Sequence, residues 1–320
     1  MTVYNSLTSR ADVDVLVPDP ISAEIFQGAV DNSFIMRKAR RLPNMAAYTE
    51  RLPVLDALPI AYFVNEAAPK QTTEVNWTNV VLTAAEIAVI QPIPEQVLDD
   101  SSFDVWGQVK PLIAAALGKT FDAAVAHGTN KPAAWPSDLV TQATAAGNTV
   151  KAGSNDDLYD DILGQGGLFS TVEADGYMVD GSVAAISFMS MLRGTRGSDG
   201  EPLFLSEAQS AQNQPGYFVG GVPTDFPRNG ALDPTAALML AGDWSQLVYS
   251  IRQDITYKVL TEATITDNAS PRAIIYSLGQ DDMVALRVTM RLAWQLPNPI
   301  NVIQPTKASR CPFAVLTPAS

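Results

Sequence analysis

Gly118, Lys119 and Thr120 stand in the order that closes a phosphate-binding loop, where a lysine meets phosphate oxygens and a hydroxyl meets magnesium. Such a loop needs another glycine five residues earlier, and Ile113 stands there instead. The flanking residues carry helical apolar spacing, so the triplet reads as helix. Asp156, Asp157, Asp160 and Asp161 supply enough carboxylates for a divalent cation. A calcium loop, however, alternates its ligands around a central glycine, which this cluster lacks. Acids here suit the first turn of a helix, where the backbone dipole favours negative charge. His127 is the only histidine and Cys311 the only cysteine. No G-x-S-x-G elbow partners the histidine, so His127 reads as a residue at a helix end. Cys311 heads an apolar strand and reads as a small core residue. Leu163–Ser170, LGQGGLFS, lacks the dinucleotide spacing and reads as a helix end. These residues give no active site, so no catalytic residue, cofactor or metal is expected.

Composition narrows the class further. The chain has 320 residues, 47% hydrophobic and only 17% charged, which leans toward a surface largely covered by other subunits. Its 34 acidic residues outnumber 21 basic ones, giving a net charge of −13. Tight phosphate binding draws on Lys and Arg, so specific nucleic-acid affinity is not expected. Nor do aromatic and basic residues interleave as a stacking platform would require. A single cysteine cannot form an internal disulfide. No secretory signal pattern opens the chain, and no run of 18 apolar residues exists to span a membrane.

Positioning elements follow from periodicity. Residues 1–18 read as an extended arm, and Asp19-Pro20 opens a helix with Ile25, Phe26, Ala29, Val30 and Phe34 on one face. A short strand covers Thr49–Leu55. The longest helix runs from a cap at Ser101 or Ser102, with Asp104 in its first turn, to Gly128. Its stripe is Trp106, Val109, Ile113, Leu117, Phe121, Ala124 and Val125, and Pro111 predicts a kink or a later start. Residues 129–155 read as an irregular insertion. An acidic helix over 155–170, a strand at 176–180, a helix at 182–192 and a short strand at 203–205 come next. Residues 238–260 read as strand, Gly-Asp turn and strand, and 273–278, 283–294 and 311–316 as further strands. Strands and helices mix without regular alternation, which predicts an α+β fold.

Pro59–Leu82 reads as two facing arms: Ile60, Tyr62 and Val64 alternate in one, Val75 and Trp77 in the other. The tip between them lacks the dipeptides of a tight hairpin, so it is wide. A ribbon of this length is marginal alone and needs something to lie against.

Several segments in order resemble the major capsid proteins of tailed bacteriophages, with the Hong Kong 97-type fold. FVNEAAPK (63–70), followed by VNWTNVVLTAAEIAVIQPIPEQVLDDS, is similar to that family's extended-loop hairpin and its return into a long spine helix. FDAAVAHGTNKP, SVAAISFMSMLRGTRGSDGEPLF, AGDWSQLVYSIRQDI and RCPFAVLTPA resemble the spine end, the axial-domain helix, the Gly-Asp-aromatic segment and the closing strand. Pro111 and Gly118 make the spine less regular than the family pattern.

The resemblance implies an arm and helix over 1–45, an extended loop over 46–90 and a peripheral domain with the spine helix over 91–129. An axial domain over 130–272 and peripheral C-terminal strands over 273–320 complete it. The implied protein is a structural, non-enzymatic shell subunit that assembles with itself as hexamers and pentamers around double-stranded DNA, which it packages without specific binding. Tyr62, Phe63, Glu66, Lys70, Val75 and Trp77 are then the intersubunit residues of the extended loop. A portal and a decoration protein are implied as partners. The short region before the first strand suggests a separate scaffolding protein. The expected location is the virion, after assembly in a bacterial cytoplasm, with no membrane contact. An encapsulin-type compartment shares the fold, and a soluble α+β enzyme is the alternative from another class. Some family members cross-link an extended-loop lysine to an asparagine, assisted by a buried glutamate. Lys70 matches the lysine here, but Asp282 and Thr289 occupy the other two positions, so no cross-link is expected.

Overall fold

The computed structural model describes residues 33–66, 69–100, 105–155, 157–196, 217–267, 269 and 271–319. The expected arm and the start of its helix, the caps at residues 101–104, Asp156 and the strand at 203–205 lie outside the described residues. Helices and sheets are mixed without β-α alternation, as an α+β fold requires.

The longest described helix, Val105–His127, contains Pro111 and continues through it. Ile113, Leu117, Phe121 and Val125 recur at four-residue spacing and are all buried, the signature of one helical face turned to a core. That face meets a four-stranded sheet ordered Arg40–Arg41, Val248–Leu260, Met283–Gln295, Ala85–Pro94. Within Met283–Gln295 the alternate residues Leu286, Val288, Met290, Leu292 and Trp294 are buried. Phe121 stands 6.0 Å from Trp135, which stands 6.4 Å edge-on to Trp294. Each such ring or aliphatic chain contributes about 1.5–3 kcal/mol on full burial.

A second sheet has six strands, ordered Thr149–Lys151, Phe313–Thr317, Met239–Gly242, Gly181–Ala184, Val222–Asp225, Tyr217–Val219. One turn joins the two sheets. After Met239–Gly242 the Asp243 carboxylate accepts from Ser245 N at 3.1 Å and caps a short 3-10 turn, and Val248 then enters the other sheet. Gly242 is required there, because a side chain would run into the Pro312 carbonyl.

The structure corrects several expectations. The closing strand, Phe313–Thr317, joins no ladder with Met283–Gln295 but pairs with Met239–Gly242 and Thr149–Lys151, and it still packs against the long helix. Phe313 and Val315 face the core around the long helix, while Ala314 and Leu316 face the core around Ile162, Leu168 and Val172. An unbroken apolar run needs cover on both faces, and an interior strand of the six-stranded sheet supplies it. The supposed irregular insertion holds a helix, Leu139–Ala146, capped by Asp138 and closed by Gly147 at φ 91°, and the strand Thr149–Lys151. The acidic helix is two short helices, Leu158–Leu163 and Leu168–Ala174, broken at the Gly164–Gly167 corner. The strand lies at Gly181–Ala184 rather than 176–180, and the helix that follows begins only at Phe188.

Candidate assembly surface

The ribbon is built differently from the alternation of its tip. Thr49–Leu55 pairs antiparallel with Trp77–Thr83, from Thr49 opposite Thr83 to Leu55 opposite Trp77. Beyond that ladder the ribbon's described residues form no further strand. Asp56 N still reaches Asn76 O at 2.8 Å and Ile60 N reaches Thr73 Oγ1 at 2.9 Å, but residues 56–65 form no strand. Thus the first arm is the strand before Pro59, and Ile60–Val64 alternates without a ladder partner.

The foot of the ribbon is anchored and its far end is bare. Leu82 is buried with Met45, Ala84 and Ala293. Gln295 Nε2 donates to Val81 O at 3.0 Å, and Trp135 Nε1 donates to Thr83 O at 3.0 Å. Toward the tip Tyr62 is 50% exposed, Phe63 fully exposed, Val75 43% and Trp77 68%. Glu66 and Lys70 are exposed as well. All six residues expected at an intersubunit contact lie on this ribbon and its loop, and four of them offer apolar surface that the described residues leave uncovered. Isolated exposed apolar residues are ordinary, whereas several on one element are not.

The candidate chemical residues go to structural duties. Gly118 packs on Ser33, and Thr120 Oγ1 donates to Ala116 O at 2.9 Å inside the helix. Asp157 caps Leu158–Leu163 by accepting from Asp160 N at 2.9 Å. Asp161 is fully buried and accepts from Gly153 N at 2.5 Å and Asn155 N at 2.9 Å, which folds the preceding loop over it. Among the described residues no cluster of three or more metal-ligating side chains occurs. His127 Nε2 accepts from Asp233 N at 3.1 Å, and burial lowers its pKa below the usual imidazole value. The Cys311 thiol is buried and pushed up to about 12, the opposite of a nucleophile's tuning. Thr289 Oγ1 pairs with Thr256 Oγ1 at 2.8 Å on the exposed end of the four-stranded sheet. Asp282 sits at a turn with φ 49°, and its carbonyl accepts from Glu95 N at 3.0 Å.

Asp122 has a role that sequence reading missed. It is fully buried within the long helix, where Oδ1 accepts from Ser33 Oγ at 2.5 Å and Ile35 N at 3.3 Å. Oδ2 accepts from Phe34 N at 3.0 Å and Asn229 Nδ2 at 2.7 Å. This one carboxylate satisfies the first amides of the helix Phe34–Lys38 and ties it to the long helix. Desolvation raises its pKa to about 6 against those four bonds, which lower it. An acid inside an apolar stripe was the available signal.

A long helix on one sheet, a second sheet threaded by the chain's last strand and an anchored apolar ribbon are the features of a structural subunit. Comparison with known proteins agrees: the chain belongs to the phage capsid family, whose model matches residues 13–305. It is 26% identical over 281 residues to the major capsid protein of Staphylococcus phage 80alpha, covering 88% of this chain and 81% of that protein. A solved chain from Microbacterium phage Oxtober96 superposes with a TM-score of 0.82 at 35% identity, covering 98% of this chain and 100% of that one. One from Mycobacterium phage Cain gives 0.80 at 31%, covering 98% and 99%.

Proposed function

We propose that this chain is the repeated subunit of a tailed-phage head, a major capsid protein that self-assembles as hexamers and pentamers into an icosahedral shell around double-stranded DNA. One observation carries the reading: a ribbon buried at its foot exposes Tyr62, Phe63 and Trp77 at its far end. Apolar surface of that size is left for a neighbour to cover. Many identical shallow contacts then act together in a closed shell, each weak alone.

In this reading the long helix and four-stranded sheet form the peripheral part, the six-stranded sheet with its helices the axial part, and Thr49–Thr83 the extended loop. Tyr62, Phe63, Glu66, Lys70, Val75 and Trp77 touch the next copy. The net charge of −13 keeps the inner wall from gripping the packaged DNA. A separate scaffolding protein, a portal and a decoration protein complete the partner set, and assembly takes place in the host cytoplasm. The test is the size of the purified chain. Light scattering and electron micrographs should show capsomers or shells, and a persistent monomer at high concentration would overturn the reading.

A further inference from the structure

The segment Leu296–Thr306 has no regular secondary structure, yet it is tightly held. Arg310 is 3% exposed and donates to Asn298 Oδ1 at 2.9 Å, Asn298 O at 3.1 Å and Gln304 O at 2.6 Å. Asn298, at φ 46°, returns a bond from Nδ2 to Arg310 O at 2.7 Å. Asn301 Nδ2 donates to Asp175 O at 2.6 Å, and its Oδ1 accepts from Gln304 N at 2.7 Å. Buried Arg310 and half-buried Asn298 and Asn301 thus spend their bonds shaping a loop. At its tip Val302 is 83% exposed and Ile303 68%. Gly176, at φ 81°, makes room for Ile303, and Met178 two residues on is 82% exposed.

We propose that Val302, Ile303 and Met178 form a second copy-to-copy contact of the shell, docking against an uncharged surface of another copy of this chain. This rests on the reading of the chain as a shell subunit, and three observations select a second copy as the occupant. First, each copy carries a net charge of −13, so copies repel unless they meet through uncharged surface. No charged residue stands between Arg291 and Lys307. Second, the loop is continuous with the ribbon: Ile300 N donates to Leu55 O at 3.2 Å, and Pro297 and Pro299 line one cleft with Leu52–Leu55. Contacts at the ribbon and at this loop would therefore form on one subunit edge. Third, its own bonds already fix the loop, so docking freezes little further chain, as a contact repeated around a shell requires.

The experiment uses Val302→Cys in the full chain. Cys311 is 2% exposed and gives no competing label. A maleimide polymer should react freely with the dissociated subunit and at least about tenfold more slowly in particles made of this chain alone, as for a side chain desolvated in an interface core. Ile303→Cys should behave alike. Equal labelling in particles and subunits, with Phe63→Cys protected in the same particles, overturns this inference while leaving the shell reading intact. Protection that arises only when another protein is added also overturns it. A wild-type chain that stays monomeric at high concentration overturns both.

Discussion

Asp122→Asn should loosen the start of the described chain from the long helix. The carboxylate gives two acceptor oxygens to four donors, two on each side. Asparagine keeps the shape but has one carbonyl oxygen, so its NH2 must face either Ser33 Oγ and Ile35 N or Phe34 N and Asn229 Nδ2. In the first orientation the NH2 can donate to the Ser33 hydroxyl, so only Ile35 N meets a donor; in the second both partners are donors. The first costs less, losing one bond worth about 1.5–3 kcal/mol. The neutral amide is easier to bury than the carboxylate, which offsets part of the loss. A net destabilisation of about 1–2 kcal/mol follows. At about 2–4 °C per kcal/mol for a domain of 150–250 residues, the melting temperature of the unassembled subunit should fall by about 2–8 °C.

Calorimetry at pH 7.5 measures this directly, and limited trypsin digestion localises it. Lys38 is 14% exposed at its side chain and shielded in the wild type, so cleavage there should be faster in the variant than in the wild type. The control is Asp157→Asn, where an exposed cap should cost no more than about 1 kcal/mol. A melting temperature within about 1 °C of wild type, under the roughly 2–8 °C expected, together with an unchanged digest, would refute the account of Asp122 as a latch.

Other outcomes follow from the same geometry. The Asp122 pKa, raised to about 6 from 3.8, means that the folded state holds the proton more tightly. Its stabilising contribution is full below 3.8 and lost as pH rises through 6, so the melting-temperature gap to Asp122→Asn should widen from pH 7 to pH 5. Deleting Ala67–Thr73 should leave the melting temperature near wild type and sharply lower particle yield in micrographs, because the described tip residues 69–73 are exposed and the proposed contacts with neighbours would be lost. Cys311, buried with its thiol pushed up to about 12, should ignore a disulfide reagent in the native chain and react once denatured. Particles boiled in detergent should give one band near 34.3 kDa. Neither Asp282 as a carboxylate nor Thr289 bonded to Thr256 suits amide formation with Lys70, and a ladder lost in Lys70→Ala would contradict this.

Where one period dominates, the sequence states the element. The four-residue recurrence of Ile113, Leu117, Phe121 and Val125 makes the long helix legible, and the alternation ending at Trp294 makes its partner strand legible. Both elements have one wet face, so burial prints a pattern. Gly181–Ala184 is buried on both faces and prints none, which is why it was absorbed into a neighbouring helix. Leu139–Ala146 is masked by its Ala and Thr composition, although Asp138 and Gly147 mark both its ends.

Pairing is harder to read than existence, because a ladder partner is chosen by the whole core. Met239–Gly242 and Val248–Leu260 flank one turn like a hairpin, yet they enter different sheets. Trp244 lies at that turn, buried between Phe34 at 6.3 Å and Phe313 at 5.1 Å, rings from opposite ends of the chain. No local pattern encodes such a meeting. The candidate surface inverts the problem. Its apolar residues were visible from spacing, but a single chain's pattern says only that such residues will be covered, not by which molecule. Phe63, left bare by the described residues of its own fold, is where the proposed neighbour would dock. A core that closes without the ribbon's far end turns that alternation from a folding signal into an assembly signal.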